Sequence, residues 1–123
     1  MPVESTALIC RSADAKFVTS VCTGSALLAK AGLLDGRRAT SNKMNFAFVE
    51  SQGKNVQWVK ELRWVEDGRF FTSSGVSAGI DMSLALIQNL LDEAAADQAA
   101  IWAEYEWHRN ADWDPFAKIH GLV

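Results

Sequence analysis

The residue whose type and position best suit covalent chemistry is Cys22, in the stretch FVTSVCTGSALLAKAGLL (residues 17–34). It stands between an apolar extended run and an Ala/Leu-rich helical run. Ser20 and Gly24 put small residues two positions before and two positions after the thiol. A nucleophile elbow, a strained strand-to-helix turn that pushes its nucleophile into the open, requires small residues at these positions. The match is partial because position minus two is Ser rather than Gly.

An elbow would give the sulfur a specific electrostatic environment. The thiol would lie at the N-terminus of the following helix, where free backbone N–H groups and the helix dipole favour a thiolate over a thiol. The same N–H groups can stabilise an oxyanion, and Thr23 adds a hydroxyl donor. The alternative is that Cys22 is a small buried apolar residue at a tight turn, which is common for free cysteine. From the residues alone, both interpretations stay open.

Composition limits the classes of protein to consider. The chain has 123 residues, is 49% hydrophobic and carries a net charge of −3, which predicts one domain over residues 1–123 with its own core. Scattered Lys and Arg argue against nucleic-acid binding. The N-terminal residues predict neither a secretory signal nor a membrane span, so we expect a cytoplasmic protein with Cys10 and Cys22 as free thiols. The spacing of Cys and His predicts no metal site, and we expect no cofactor.

Strand-like and helix-like segments alternate along the first half, which predicts an α/β fold. A short helix ending near Ala15 precedes a buried strand around residues 17–21. We expect a helix from Thr23 to Leu34 that ends at Gly36, because glycine readily takes the left-handed conformation that terminates helices. A short strand at residues 38–40 and a helix between Met44 and Gly53 follow.

The second half predicts a hairpin and two further helices. Strands at residues 56–65 and 69–73 flank Glu66-Asp67-Gly68, whose Asp-Gly step is a strong turn signal. The segment SSGVSAGIDMSLALIQNLL predicts a Gly-bearing turn and a helix with apolar positions at Ile80, Leu84, Ile87 and Leu91. Asp81 is expected in the first turn of that helix, as a structural residue suited to the dipole. A last helix is predicted from Glu93 to about Trp107, and His108 and His120 are expected to be exposed tail residues.

Three stretches together resemble the ThiJ/PfpI superfamily (class I glutamine amidotransferase-like), and most closely its isonitrile hydratase-like branch. They are VTSVCTGS, AGLLDGRRAT and RWVEDGRFFTSSGVSAGID, and their order and spacing match the family over nearly the whole chain. The resemblance implies a flavodoxin-like three-layer sandwich with a mostly parallel sheet plus an antiparallel hairpin. It also implies a nucleophilic cysteine at Cys22, with Thr23 and Gly24 lining the substrate and oxyanion site.

By this resemblance the chain is a cysteine-dependent lyase that adds water to a small-molecule isonitrile to give an N-substituted formamide. The thiolate would attack the isonitrile carbon, and a nearby acid would protonate the intermediate and activate water. Other branches of the family act on α-oxoaldehydes or peptides, so a glyoxalase-like or peptidase-like activity is an alternative. A catalytically inactive or redox-responsive interaction module, with an oxidisable Cys22, is another.

The chain departs from the family pattern in two places. Relatives carry roughly the first third of the fold, including acidic residues that hydrogen-bond the thiol, before the cysteine strand, whereas this chain begins at the helix just before it. Many relatives also have a histidine where this chain reads Thr40-Ser41-Asn42. We therefore expect an N-terminally truncated domain with an exposed sheet edge beside residues 17–21. A homodimer or a completing partner chain would cover that edge.

Overall fold

The computed structural model describes residues 3–123, and the backbone only of Glu4. Its helices and strands are α1 (Val3–Ala13), β1 (Val18–Ser20), α2 (Ser25–Lys30), β2 (Arg38–Ala39), α3 (Phe46–Glu50), β3 (Gln57–Trp58), β4 (Trp64–Asp67), β5 (Phe70–Ser73), α4 (Val76–Leu90), α5 (Glu93–Trp102) and α6 (Phe116–Ile119). Within residues 3–123, none of these helices has both the length and the apolar character that crossing a bilayer needs.

Strand β5 is the centre of the sheet. It pairs with β1 in parallel and with β4 antiparallel, giving the order β1-β5-β4. Strands β2 and β3 form a second, two-stranded parallel pair. The N–H of Thr40 donates to Oγ1 of Thr72 at 3.0 Å, which ties the end of β2 to β5. Among the described residues β1 has β5 as its one strand neighbour, so its other edge is unpaired.

Successive aromatic residues of β5 point to opposite faces of the sheet, because side chains alternate along a strand. Phe70 packs with α2 and with Leu8 of α1 in one hydrophobic cluster. Phe71 packs with Trp64 and with Met82 of α4 in the other. Helices therefore cover both faces, and the expected α/β sandwich with parallel strands and an antiparallel hairpin is confirmed.

Helix α2 is shorter than the predicted helix from Thr23 to Leu34, so that prediction was wrong at both ends. Residues 22–24 form a 3-10 turn before the α-helix starts. The helix ends at Lys30, and Gly32, with φ of +80°, terminates it rather than Gly36. The N–H of Gly32 donates to Ala29 and that of Leu33 to Leu28, the paired hydrogen bonds of a Schellman cap.

The predicted strand over residues 56–65 is two strands in two sheets. Strand β3 pairs with β2, and β4 pairs with β5 after the chain has turned away at residues 60–63. The hairpin itself is confirmed, with Gly68 in its turn at φ of +59°. The residues look like one extended segment in the sequence, but their two ends pair with strands of different sheets.

The predicted end of α5 and the predicted apolar face of α4 were also partly wrong. Helix α5 ends at Trp102, because Glu104 takes a φ of +50° and the N–H of Tyr105 donates to Ala100 in another Schellman cap. The chain from Glu104 onwards is a tail that crosses the end of α4. On α4, Ile80 and Leu91 are exposed, and the buried face includes Ala78, Met82, Leu84 and Ala85.

Helix α4 is held against the end of β1 by a close approach at Gly79. A Cβ at this position would lie 2.5 Å from Cγ1 of Val21, well inside van der Waals contact. Val21 precedes Cys22, so this contact also fixes where the turn after β1 begins.

We predict that Gly79→Ala lowers the free energy of unfolding by about 1–3 kcal/mol, because the added methyl must displace the Val21 side chain, whose Cγ1, Cγ2 and Cβ would all lie within 3.3 Å of it. Ser77→Ala is the matched control, since Ser77 is exposed on the same helix, and it should change stability by less than about 0.5 kcal/mol. Urea unfolding followed by circular dichroism measures both. Equal stability of the two variants would contradict the packing argument.

Candidate active site

Cys22 occupies the turn between β1 and α2 in a strained backbone conformation. Its φ is +60°, in the left-handed region that costs a non-glycine residue about 1–3 kcal/mol. Two backbone hydrogen bonds hold it there: its N–H donates to the carbonyl of Ser74 at 2.9 Å, and its carbonyl accepts from Asn42 at 3.4 Å. The Ser41 hydroxyl donates to the same carbonyl at 3.2 Å. The side chain is half-buried and unbridged.

The small residues on either side of Cys22 lie close together across the turn. A Cβ at Gly24 would lie 3.5 Å from Cβ of Ser20, an ordinary contact, so position 24 has room for a Cβ. Thr23 is exposed. The N–H of Gly24 donates to the carbonyl of Val21 at 3.0 Å, and an oxyanion at this turn would have to share that donor. The hydroxyls of Ser20 and Ser25 are buried without a hydrogen-bond partner in the described part of the chain.

A cavity of about 190 Å³ lies beside this turn. Its wall includes Ser74 and Asn42, whose backbone groups hydrogen-bond to the backbone of Cys22. The cavity therefore borders residues that hydrogen-bond to the Cys22 backbone, and the Cys22 side chain is not part of the wall. The lining residues are Asn42, Lys43, Met44, Arg63, Ser74, Gly75, Val76, Ser77, Ala78, Phe116 and His120.

The first turn of α4 forms one side of the cavity. Gly75, the N-cap of α4, has no side chain that could accept a hydrogen bond. The first backbone N–H groups of this 15-residue helix therefore lie at the cavity wall without a side-chain cap. The partial positive charge of a helix N-terminus favours a hydrogen-bond acceptor or a developing negative charge. This turn follows β5, as the Cys22 turn follows β1, and the two strands are parallel neighbours.

A buried ion pair joins the next turn of α4 to the residue before β4. Nε and Nη2 of Arg63 donate to Oδ2 of Asp81 at 2.8 and 2.5 Å, and the Asp81 side chain is fully buried. The expectation that Asp81 lies in the first turn of α4 was wrong: it lies in the second, facing the protein interior. Its other oxygen accepts from the N–H of His108 at 2.7 Å. Burial raises the pKa of Tyr105, and the Asp81 carboxylate raises it further.

A second buried pair joins the cavity wall to the C-terminal tail. Nζ of Lys43 lies 3.3 Å from Oδ2 of Asp114, with both side chains almost fully buried. It also donates to Oγ1 of Thr40 at 2.6 Å and to the carbonyl of Leu62 at 2.9 Å. Burial lowers the pKa of Lys43, because desolvation outweighs the opposing attraction of Asp114. Both cations of the cavity wall are therefore matched by a carboxylate.

The structure brings together residues that sequence reasoning did not connect. Lys43, Arg63, Phe116 and His120 share the cavity wall, although they come from three separate segments. His120 is exposed, as expected of it, but it also lines the cavity. The other histidine, His108, stacks on Trp113 with ring centroids 4.1 Å apart. No local pattern could signal these contacts, because each depends on how the tail crosses α4.

Within residues 3–123, no group of three or more His, Cys, Asp or Glu side chains is placed to hold a metal ion.

We predict that Asp81→Asn destabilises the protein by about 3–5 kcal/mol, because it leaves the buried Arg63 guanidinium without a counter-charge. Asp97→Asn is the matched control: it removes a carboxylate from the exposed pair with Arg109 and should cost less than about 1 kcal/mol. Urea denaturation at neutral pH measures both. A decrease in the free energy of unfolding of less than about 1 kcal/mol for Asp81→Asn would contradict the burial of the Arg63–Asp81 pair.

We predict that the stability contributed by Lys43 rises with pH in the alkaline range below 10.5. The unfolded chain keeps the Lys43 proton up to its ordinary pKa of 10.5, whereas the folded chain releases it at lower pH. The unfolded state thus binds more protons in this window, and the free energy of unfolding increases with pH. The double variant Lys43→Met/Asp114→Asn, which lacks both charges, is the reference. A wild-type-minus-variant difference that is flat or falls with pH would contradict this.

Comparison with known proteins identifies the family of this chain. The model of the DJ-1/PfpI family matches residues 10–89, which include the Cys22 turn and most of α4. The chain is 42% identical over 95 residues to the isonitrile hydratase of Pseudomonas putida, covering 77% of this chain and 40% of that protein. It is 40% identical over 79 residues to the HTH-type transcriptional regulator CdhR of Pseudomonas aeruginosa, covering 63% of this chain and 23% of that protein.

Solved structures of similar proteins show the same fold. A ThiJ/PfpI family protein from Pseudomonas syringae superposes with a TM-score of 0.73 at 36% identity, over 87% of this chain and 43% of that one. Drosophila melanogaster DJ-1beta superposes with a TM-score of 0.69 at 20% identity, over 84% of this chain and 54% of that one, which shows the shared fold. The chain spans about two fifths of the length of the isonitrile hydratase it matches. With its flavodoxin-like α/β fold and a cysteine at the strand-to-helix turn, this chain belongs to the DJ-1/PfpI family.

Proposed function

We propose that this chain carries the thiol half of an isonitrile hydratase-like active site, with Cys22 as nucleophile and Thr23 and Gly24 as neighbouring donors. The substrate is a small isonitrile and the product is the N-substituted formamide. The relative that suggests this chemistry is the isonitrile hydratase of Pseudomonas putida, at 42% identity. We also propose a cytoplasmic location, which would keep Cys10 and Cys22 reduced.

The single observation that carries the proposal is the left-handed backbone at Cys22, with φ of +60°, beside a cavity. Strain of this kind persists where surrounding contacts impose it, and such residues cluster at active sites. Here the contacts are the hydrogen bonds to Ser74 and Asn42 and the packing of Val21 on Gly79. A cysteine serving only to fill space would not need this conformation.

The chemistry balances with water as the one co-reactant. The Cys22 thiolate forms a C–S bond to the isonitrile carbon, and that carbon then takes one proton to give a thioimidate. Water adds to the same carbon, with one of its protons going to nitrogen. The C–S bond then breaks as the carbonyl forms, which returns the thiolate and releases one proton. The sum is isonitrile plus water to formamide, and one proton must be supplied early and taken back late.

The cavity suits a small, uncharged, largely apolar substrate. Its volume of about 190 Å³ is somewhat larger than the engineered cavity of about 150 Å³ that binds benzene in another protein. Met44, Val76 and Phe116 contribute apolar surface. The two cations in the wall are already paired with Asp81 and Asp114, so a charged substrate would gain little from them.

We further propose that a second copy or a completing chain covers the free edge of β1 in the working assembly. The edge has unpaired backbone groups beside residues 18–20, and such edges readily accept another strand. A chain docked there could supply the carboxylate that the resemblance places beside the thiol. Among the residues lining the cavity in the described chain, none is Asp or Glu.

We predict that the purified chain converts a small aliphatic isonitrile to the formamide, and that Cys22→Ala lowers the rate by roughly 10³-fold or more, because it removes the thiol that forms the C–S bond at this site. Gas chromatography with mass detection measures the formamide. Cys10→Ser is the matched control, since Cys10 is an exposed thiol on α1, and it should keep the wild-type rate. If Cys22→Ala matches the wild type, or if neither forms product, the enzymatic proposal fails for this chain.

A further inference from the structure

A buried hydroxyl without a partner, that of Ser74, faces the cavity of about 190 Å³. Ser74 is 5% exposed, and its backbone groups are both used: its N–H donates to the carbonyl of Arg63, and its carbonyl accepts from Cys22. Its hydroxyl has no hydrogen-bond partner among the described residues. It is not one of the enclosed hydroxyls, which are those of Ser20 and Ser25, so it is reached from the cavity.

The Arg63 guanidinium has an unpartnered nitrogen in the same wall. Its side chain is 8% exposed, and Nε and Nη2 donate to Oδ2 of Asp81. Nη1 has no hydrogen-bond partner within residues 3–123, although Arg63 lines the cavity. Because the guanidinium donors lie in one rigid plane, Nη1 is left for an acceptor outside the Arg63–Asp81 pair.

Asn42 adds an oriented amide beside the start of α4. Its Oδ1 accepts from the N–H and from Nδ2 of Asn45, at 3.0 and 3.2 Å, which leaves its own Nδ2 as a donor. That Nδ2 lies 3.7 Å from the position that a Cβ would take at Gly75. The N–H groups of Val76 and Ser77, in the first turn of α4, have no acceptor in the described part of the chain. These donors therefore cluster around Gly75.

The cavity wall offers donors but little net charge. Its cations, Lys43 and Arg63, are matched by Asp114 and Asp81, and the other basic group is the exposed His120. Burying a carboxylate without a counter-charge costs far more free energy than burying a neutral polar group that is hydrogen-bonded. A carbonyl oxygen is neutral and has two lone pairs that accept hydrogen bonds. The wall therefore matches a neutral carbonyl oxygen better than an anion.

We infer that this cavity is a binding site for a small neutral carbonyl compound, such as an amide, that carries a short branched alkyl group. The carbonyl oxygen accepts from the donor cluster, in which Ser74 and Asn42 supply side-chain donors. The alkyl group lies against apolar surface that includes Met44 and Phe116. The inference does not rest on the proposed function, because the Cys22 side chain is not in the wall.

The first test compares two compounds of one shape, isobutyramide and isobutyrate. Each is titrated at about pH 7.5 into the full chain labelled with nitrogen-15, and the backbone N–H signals of Val76 and Ser77 are followed by NMR. Isobutyramide should shift both signals saturably. Isobutyrate should bind at least about tenfold more weakly, because its charge lacks a counter-charge in the wall. No saturable shift with isobutyramide, or equal affinity for isobutyrate, overturns the inference.

The second test removes single donors. Ser74→Ala should weaken isobutyramide binding by about 3–10-fold, the loss of one hydrogen bond. Asn42→Asp keeps the oxygen that accepts from Asn45 but replaces the donor with a carboxylate, and it should weaken binding by at least as much. Ser83→Ala is the matched control, because Ser83 is exposed on α4 away from the cavity wall, and it should bind as the wild type does. Wild-type affinity in Ser74→Ala or in Asn42→Asp overturns the inference.

Cys22→Ala separates this site from the thiol chemistry. It should bind isobutyramide with wild-type affinity, although it lacks the proposed nucleophile. A wild-type chain that binds isobutyramide but forms no formamide loses the proposed function and keeps this inference. A chain that forms formamide but does not bind isobutyramide keeps the proposed function and loses this inference.

Discussion

The arrangement of the site depends on one pairing, the parallel contact between β1 and β5. Parallel neighbours end at the same edge of a sheet, so the turn after β1 and the turn after β5 lie side by side. The hydrogen bond from the N–H of Cys22 to the carbonyl of Ser74 continues this pairing beyond the last strand residues. Ligands of open α/β sheets bind at the carboxyl ends of strands for this reason, and here the cavity lies beside both turns.

Two buried ion pairs lie near the same edge of the sheet. Removing Lys43, Asp114, Arg63 and Asp81 from solvent costs free energy, which their attraction offsets only with good geometry and further hydrogen bonds. Both pairs have such bonds, including the N–H of His108 on Asp81. An apolar contact could slide, whereas the Lys43–Asp114 pair and the hydrogen bond from the His108 N–H to Asp81 fix the tail against Lys43 and α4. We interpret them as groups that position the cavity wall.

The cavity beside the Cys22 turn is closed on one side by a segment from the far end of the described chain. Cys22 lies on a turn imposed by the sheet, and His120 lies on a segment imposed by the buried pairs. The family resemblance implies a carboxylate near the thiol from the segment before the cysteine strand, and none of the described residues that line the cavity is Asp or Glu.

What the sequence by itself determined was local. Small residues around Cys22 predicted the turn, Asp67-Gly68 predicted the hairpin, and the alternation of segments predicted the α/β class, because each follows from backbone sterics or side-chain periodicity over a few residues. Tertiary structure decided which of two glycines ended α2, where α5 stopped, and that Asp81 would be buried against Arg63. It also brought His120 to the cavity. These outcomes depend on contacts between residues far apart in the chain, and neither periodicity nor propensity carries information about such contacts.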